Sequence, residues 1–274
     1  MNQVSDPKLA IAVYKAGGLP SLSAFNYLIK DEVFQFDKLE EAIVEFVRAT
    51  NSSNFLLSLR SAHLSVIEIK QLVIKYKIPY LELVEFEPID VELAKFYKEL
   101  GVLLLVKRRT VHLHCETDGI VLKGPDGAGR IPASHIPLTE LLIRFKKLHP
   151  NKIIIVSGGI GTSEQVKEYI ELGADLVGVG TLFAVSTESS ISTATKLKMV
   201  SSSSDNLQQF GKAHQQGLVF DMLPVDVLNK TKSLQAGIKS PDSGIIFAGK
   251  GLDNITKIST VTEIMQDLIK HIKV

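Results

Sequence analysis

The stretch Ile153–Phe183 reads IIIVSGGIGTSEQVKEYIELGADLVGVGTLF, and it decides the fold. Ile153 to Val156 form an unbroken apolar run without polar alternation, the pattern of a strand buried on both faces. The run ends at Gly158 and Gly159. Thr162 then opens an amphipathic helix, with Gln165 at capping-box spacing, and Gly173 stops it. A second apolar run, Leu176–Val179, leads to Gly180 and Thr181. Glycine lets backbone N–H groups approach an anion, and a following helix N-terminus adds the positive end of its dipole. Either corner alone reads equally well as a tight turn. Two of them at successive strand ends match the phosphate cradle that barrel enzymes build after their last strands.

The same unit recurs outward from this stretch. Apolar runs of strand length stand at Phe55–Leu59, Tyr80–Phe86, Val102–Val106 and Gly119–Leu122. Helical patterns lie at Pro7–Ala16, Asp37–Ala49, Ser65–Lys77, Ile89–Leu100 and Leu138–Leu148. Strands alternating with helices imply a parallel sheet, and this number of units favours a (β/α)₈ barrel over an open doubly wound sheet. At 274 residues the chain suits one such domain, which takes roughly 250. Two places depart from a full barrel. Met1–Val4 is too short and polar for a first strand, and Lys107–Thr117 is too short for a helix with its loops. After residue 184 the pattern changes to a helical and irregular C-terminal elaboration, residues 185–274. Ser201–Ser204 reads there as a flexible loop, Phe210–Leu234 as irregular helix and turn, and Ser259–Ile272 as a last amphipathic helix.

Composition removes several function classes. Lys plus Arg number 31 and Asp plus Glu 30, so no global field gathers nucleic acid or acidic membranes. With no Trp, stacking platforms for single strands are poor. No apolar run approaches the roughly 18 residues of a membrane span. Cys115 is the one cysteine, so no internal disulfide forms and a reducing cytoplasm is the expected compartment.

Further chemistry-bearing residues stand outside the opening stretch. Asp118–Arg130, DGIVLKGPDGAGR, sends a strand into Lys123 and then a glycine loop. A cation at a strand end can stabilise negative charge on a bound ring, or it can be solvated or paired with Asp126. His135 follows that loop as a candidate proton-transfer group. His112 and His114 beside Cys115 have the look of metal ligands, but no third ligand completes a motif, and no metal is expected. Lys107–Arg109 reads as a solvated charge cluster or as a phosphate contact at a strand end. Ala12–Leu22, AVYKAGGLPSL, is a helix stop with a short strand behind it.

In this order, these segments together with Phe247–Ile269, FAGKGLDNITKISTVTEIMQDLI, resemble the nitronate monooxygenase family, formerly 2-nitropropane dioxygenases. The resemblance runs over roughly residues 1–272. It implies a TIM-type barrel that binds FMN and oxidises a small anionic substrate, such as an alkyl nitronate, with O2. It also implies that Gly158, Gly159, Gly180 and Thr181 hold the FMN phosphate. Lys123 stands where the family usually has glutamine, Ser58 where many members have a flavin-contacting asparagine, and Met1 near the methionine closing the first strand. Arg130 occupies the place of the family's catalytic histidine. Arginine stays protonated and cannot accept a proton, so Arg130 is expected to bind the substrate's anionic group by a paired hydrogen-bond fork. Two alternatives stand beside this reading. One is a flavin-dependent enoyl-thioester reductase using a nicotinamide donor. The other is a degenerate barrel that binds FMN or phosphate and catalyses little. Either is compatible with an assembly of identical chains.

Overall fold

The computed structural model describes residues 4–28, 34–84, 89–113, 116–131, 135–210, 215–220 and 230–272. In chain order the elements are α1 (Pro7–Lys15), β1 (Ser21–Ser23), α2 (Phe36–Thr50), β2 (Leu56–Leu59), α3 (Ile67–Tyr76), β3 (Tyr80–Leu83), α4 (Val91–Glu99) and β4 (Leu103–Arg108). Then come β5 (Gly119–Lys123), β6 (Gly129–Arg130), α5 (Leu138–Leu148), β7 (Ile153–Ser157), α6 (Ser163–Glu171), β8 (Leu176–Gly178), α7 (Thr181–Ala184) and α8 (Thr193–Val200). The chain closes with β9 (Gln208–Phe210), β10 (Gln215–Val219), α9 (Lys230–Lys239), β11 (Ile245–Ile246) and α10 (Val261–Ile269).

Seven strands form one sheet in the order β1-β2-β3-β4-β5-β7-β8. The β1–β2, β2–β3, β3–β4 and β7–β8 pairs are parallel. This is the α/β class the alternating pattern implied. Among the described residues no strand precedes α1, and Met1 lies outside them. Among the described residues no helix lies between β4 and β5 either, in line with the short Lys107–Thr117 segment. The chain divides into two compact units, and β5 and β7 contribute residues to both.

The first unit comprises residues 1–108, 112–121 and 151–153. Its helices start and stop where local chemistry requires. Asp6 caps α1 by accepting the Leu9 N–H at 2.9 Å, with Pro7 in the first turn. In α2, Leu39, Ile43 and Phe46 are fully buried on one stripe, and Asn51 ends the helix in the left-handed region at φ 50°. Strand parity then splits the unit's sheet. Leu57, Leu59, Leu81, Leu83, Leu104 and Val106 join the apolar core that includes Phe46 and Tyr97. The alternate positions, Ser58, Glu82 and Lys107, fall on the opposite face.

The second unit comprises residues 109–111, 122–150 and 154–274. Ile154, Ile155 and Val156 are buried, as are Leu141, Leu142 and Phe145 of α5. Thr162 and Gln165 form the expected capping box on α6, and Gly173 leaves that helix at φ 96°. The C-terminal elaboration corrects the sequence reading. Within Phe210–Leu234 the chain forms β10 instead of irregular helix and turn, and β10 pairs antiparallel with β9, β11 and β6. Its sequence, QQGLV, lacks β-branched residues until its last position, so the strand depends on its partners more than on propensity. Thr193–Val200 is a helix within the stretch read as helical and irregular, at a position the sequence reading did not specify; Ser192 caps it. Among the described residues no helix is long and apolar enough to cross a membrane.

Candidate functional site

The two glycine corners stand side by side in the second unit. The β7–β8 register pairs Ser157 with Gly178, so the chain leaves both strands at one edge of the sheet. Gly158 (φ 111°) and Gly159 (φ 79°) occupy conformations that side-chain-bearing residues avoid. Close packing adds to that requirement. A Cβ on Gly158 would lie 3.1 Å from the Gly124 carbonyl oxygen, and one on Gly159 only 2.5 Å from Asp126 Cβ. The middle glycine loop therefore seats directly against this corner.

The capping box alters the electrostatic expectation for α6. The backbone N–H groups of Gly161 and Thr162 both donate to Gln165 Oε1, at 2.8 and 3.2 Å. The helix thus closes part of its own N-terminus. The Gly158 and Gly159 amides are spent on no hydrogen bond among the described residues, so these two remain to meet an anion. At the neighbouring corner, Thr181 Oγ1 accepts the Gly249 N–H at 3.1 Å, which leaves the threonine hydroxyl proton to donate.

Gly249 and Lys250 fasten the corners to the glycine loop. The Lys250 N–H donates to the Asp126 carbonyl at 2.9 Å, and its ammonium pairs with Asp126 Oδ1 at 2.7 Å. A Cβ on Gly249 would lie 2.4 Å from the Asp126 carbonyl oxygen. Gln216 Nε2 donates to the Gly127 carbonyl at 3.1 Å, and Lys123 Nζ donates to the Ala128 carbonyl. The glycine loop is therefore clamped by β10, by the segment after β11 and by Lys123. Lys123 ends β5 as expected, but the Asp126 carboxylate takes Lys250 as its partner.

Arg130 is exposed on β6, where pairing with Gln215 of β10 fixes its backbone. Arg109 Nη1 donates to the Ile131 carbonyl at 3.0 Å, placing a second guanidinium beside the residue that follows Arg130. Burial lowers the Arg109 pKa, and the Arg130 charge lowers it further. His135 is exposed before α5. His112 is exposed, while His114 and Cys115 lie outside the described residues.

The first unit carries a polar trio of its own. Ser58 Oγ donates to Glu82 Oε2 at 2.6 Å, and Lys107 Nζ lies 2.8 Å from Glu82 Oε1. Burial raises the Glu82 pKa, but the Lys107 charge and the hydrogen bonds from Lys107 and Ser58 outweigh it, holding the carboxyl below its ordinary range. Lys107 and Arg108 are thus not a solvated cluster, since Lys107 is engaged by a buried carboxylate and Arg108 is itself buried. Ser58, expected to touch flavin, directs its hydroxyl to Glu82. The sequence reading passed over Glu82, Gln216 and Gly249; a lone glutamate inside an apolar strand was the one available signal.

Comparison with known proteins agrees with this α/β architecture. The fold is that of Thermotoga maritima FabK, at a TM-score of 0.79 and 21% identity over 98% of this chain and 89% of that one. The nitroalkane oxidase from Streptomyces ansochromogenes shares it at 0.77 and 18%, over 97% and 92%. The enoyl reductase domain of MlnA from Bacillus amyloliquefaciens shares it at 0.75 and 12%, over 98% and 92%. No curated protein matches in sequence. Residues 94–217 match the nitronate monooxygenase family model, which bears out the resemblance to that family. The matched stretch includes both glycine corners, the glycine loop and Arg130.

Proposed function

We propose that this protein is an FMN-dependent oxidoreductase of the nitronate monooxygenase kind, acting on a small anionic substrate. The observation that carries this reading is the pairing of Ser157 with Gly178, which sets two glycine corners with unspent amides at one sheet edge, inside the stretch that matches the family. The site suits a phosphate in the chemistry of its donors. Gly158 and Gly159 offer backbone N–H groups, and Thr181, next to Gly180 at the neighbouring corner, offers a hydroxyl.

When bound, FMN supplies the redox chemistry, taking electrons from the substrate or a nicotinamide donor and passing them to O2. This chain's residues bind and orient. Gly158, Gly159, Gly180 and Thr181 hold the phosphate; Lys123 fixes the glycine loop through the Ala128 carbonyl and brings a cation to the end of β5. Arg130 binds the substrate's anionic group. Arg130 moves no proton, so a substrate that arrives already as the anion suits this site better than a neutral acid. His135 is the one proton-transfer candidate near the loop in sequence.

A second reading, an enoyl-thioester reductase, draws on the fold shared with FabK and the MlnA enoyl reductase domain and on the absent histidine. An absorbance spectrum of purified protein tests the flavin. Anaerobic addition of an alkyl nitronate, then of a nicotinamide donor, separates the two readings by which one bleaches the flavin bands. A colourless protein that takes up no FMN defeats both.

A further inference from the structure

We propose that Arg130, Gln215 and Phe247 form a substrate pocket for a planar two-oxygen anion, nitronate or carboxylate, that carries an aromatic ring. This rests on the reading above for the ligand's role as substrate and deepens it by naming the substrate class.

The head-group end comes from the small antiparallel sheet. Arg130 of β6 and Phe210 of β9 both pair with Gln215 of β10, one on each side. Directly opposed residues of neighbouring strands project to the same face, so the three side chains stand in one row. Arg130 is exposed, and its guanidinium makes no ion pair or hydrogen bond among the described residues. Gln215 is only 5% exposed, yet its amide makes no hydrogen bond among the described residues, and its polar atoms are not sealed from solvent. The next residue shows the contrast, since Gln216 spends its amide on the Gly127 carbonyl at 3.1 Å. A buried amide left unspent costs stability unless something pairs with it. Beside the arginine fork it adds one more donor for a planar head with two oxygens.

Phe247 supplies the apolar end. Its ring lies nearly parallel to that of Phe210, with 8° between the planes and 6.2 Å between centroids. A Cβ on Gly129, the residue before Arg130, would lie 3.8 Å from Phe247 Cγ. A Cβ on Gly217, two residues after Gln215, would lie 3.1 Å from Phe247 Cα. Phe247 is thus tied to the Arg130–Gln215 row through Phe210, Gly129 and Gly217. Phe210 is buried behind it, while Phe247 itself is half-buried. The part of the ring that Phe210 does not cover is apolar surface beside an unpaired cation. A short alkyl anion leaves that surface wet, and an aromatic substituent covers it.

Isothermal titration of FMN-loaded protein with phenylacetate, and with acetate read by displacement, tests this, because the two acids share one head group. Phenylacetate is expected to bind tighter by about tenfold or more. Phe247→Leu, apolar but without the ring, should remove most of that preference by weakening phenylacetate alone. Gln215→Met, close in shape but without the amide, should weaken both acids by roughly tenfold. It should not lower the urea midpoint, since the amide it removes pairs with nothing among the described residues. Equal affinity for the two acids, a preference unchanged in Phe247→Leu, or affinity for both acids unchanged in Gln215→Met overturns the proposal. Failure of the flavin reading shows separately, as a wild-type protein that takes up no FMN, and the same titrations on that protein still decide the pocket.

Discussion

Lys107 Nζ lies 2.8 Å from Glu82 Oε1, and Glu82 is a nearly inaccessible carboxylate on the sheet face opposite the first unit's apolar core. Two neighbouring strands thus exchange opposite charges where apolar packing would have served. Removing one partner leaves the other buried and uncompensated. Lys107→Met should cost about 3 kcal/mol in urea unfolding, and Glu82→Gln/Lys107→Met together should cost less than the sum of the single changes. Strict additivity would show that the two charges are not coupled.

The same carboxylate predicts a pH dependence. Its folded pKa is lowered, so its contribution to stability is complete above the unfolded value and disappears as pH falls through the folded one. The melting temperature of the wild type should drop as the pH is taken below the ordinary carboxylate range. Glu82→Gln should flatten that drop while lying lower near neutrality. Parallel curves for the two proteins would remove Glu82 from the account.

Gly159→Ala meets two penalties, a positive φ and a Cβ 2.5 Å from Asp126 Cβ. The strain of the left-handed region alone is about 1 kcal/mol, and displacing the glycine loop adds to it. Reduced stability and loss of most bound FMN are expected, read by denaturation and by flavin absorbance after gel filtration. Full FMN occupancy in this variant would place the phosphate elsewhere.

Thr181→Val keeps the shape and removes the hydroxyl. The Gly249 N–H then loses its acceptor, and the proposed phosphate cradle loses a donor. A stability loss of about 1 kcal/mol and an FMN affinity weaker by roughly tenfold follow. Fluorescence titration with FMN measures the second effect, and an unchanged affinity would remove Thr181 from the cradle.

Arg130→His introduces a group able to exchange a proton near neutral pH. With an alkyl nitronate, kcat/KM should acquire a limb that rises with pH, its midpoint pushed below the ordinary histidine value of about 6.5 by the adjacent Arg109 cation. A flat profile would mean that position 130 takes no part in proton transfer.

The α/β class and the paired glycine corners were legible along the chain because their signals are local. An unbroken apolar run, a capping residue and a glycine at an element's end act within a few residues of each other. Thr162 with Gln165 read as a capping box and is one; Leu138–Leu148 read as a helix and is one. The family resemblance put the proposed phosphate cradle on the same glycines. Long-range pairing left no such trace. Gln215–Val219 becomes a strand because β6, β9 and β11 satisfy its backbone, and Gly249 matters because Asp126 lies against it, more than a hundred positions earlier. Ser58, Glu82 and Lys107 are 24 and 25 residues apart and meet only through the register of β2, β3 and β4. Arg109 reaches the Ile131 carbonyl from 22 residues away. The sequence by itself determined the repeating strand–helix units before residue 184 and which glycines turn the chain, because those are decided by neighbours in the chain. The tertiary structure alone decided which charges meet and which amides remain to bind, because hydrogen bonds and ion pairs are satisfied by neighbours in space.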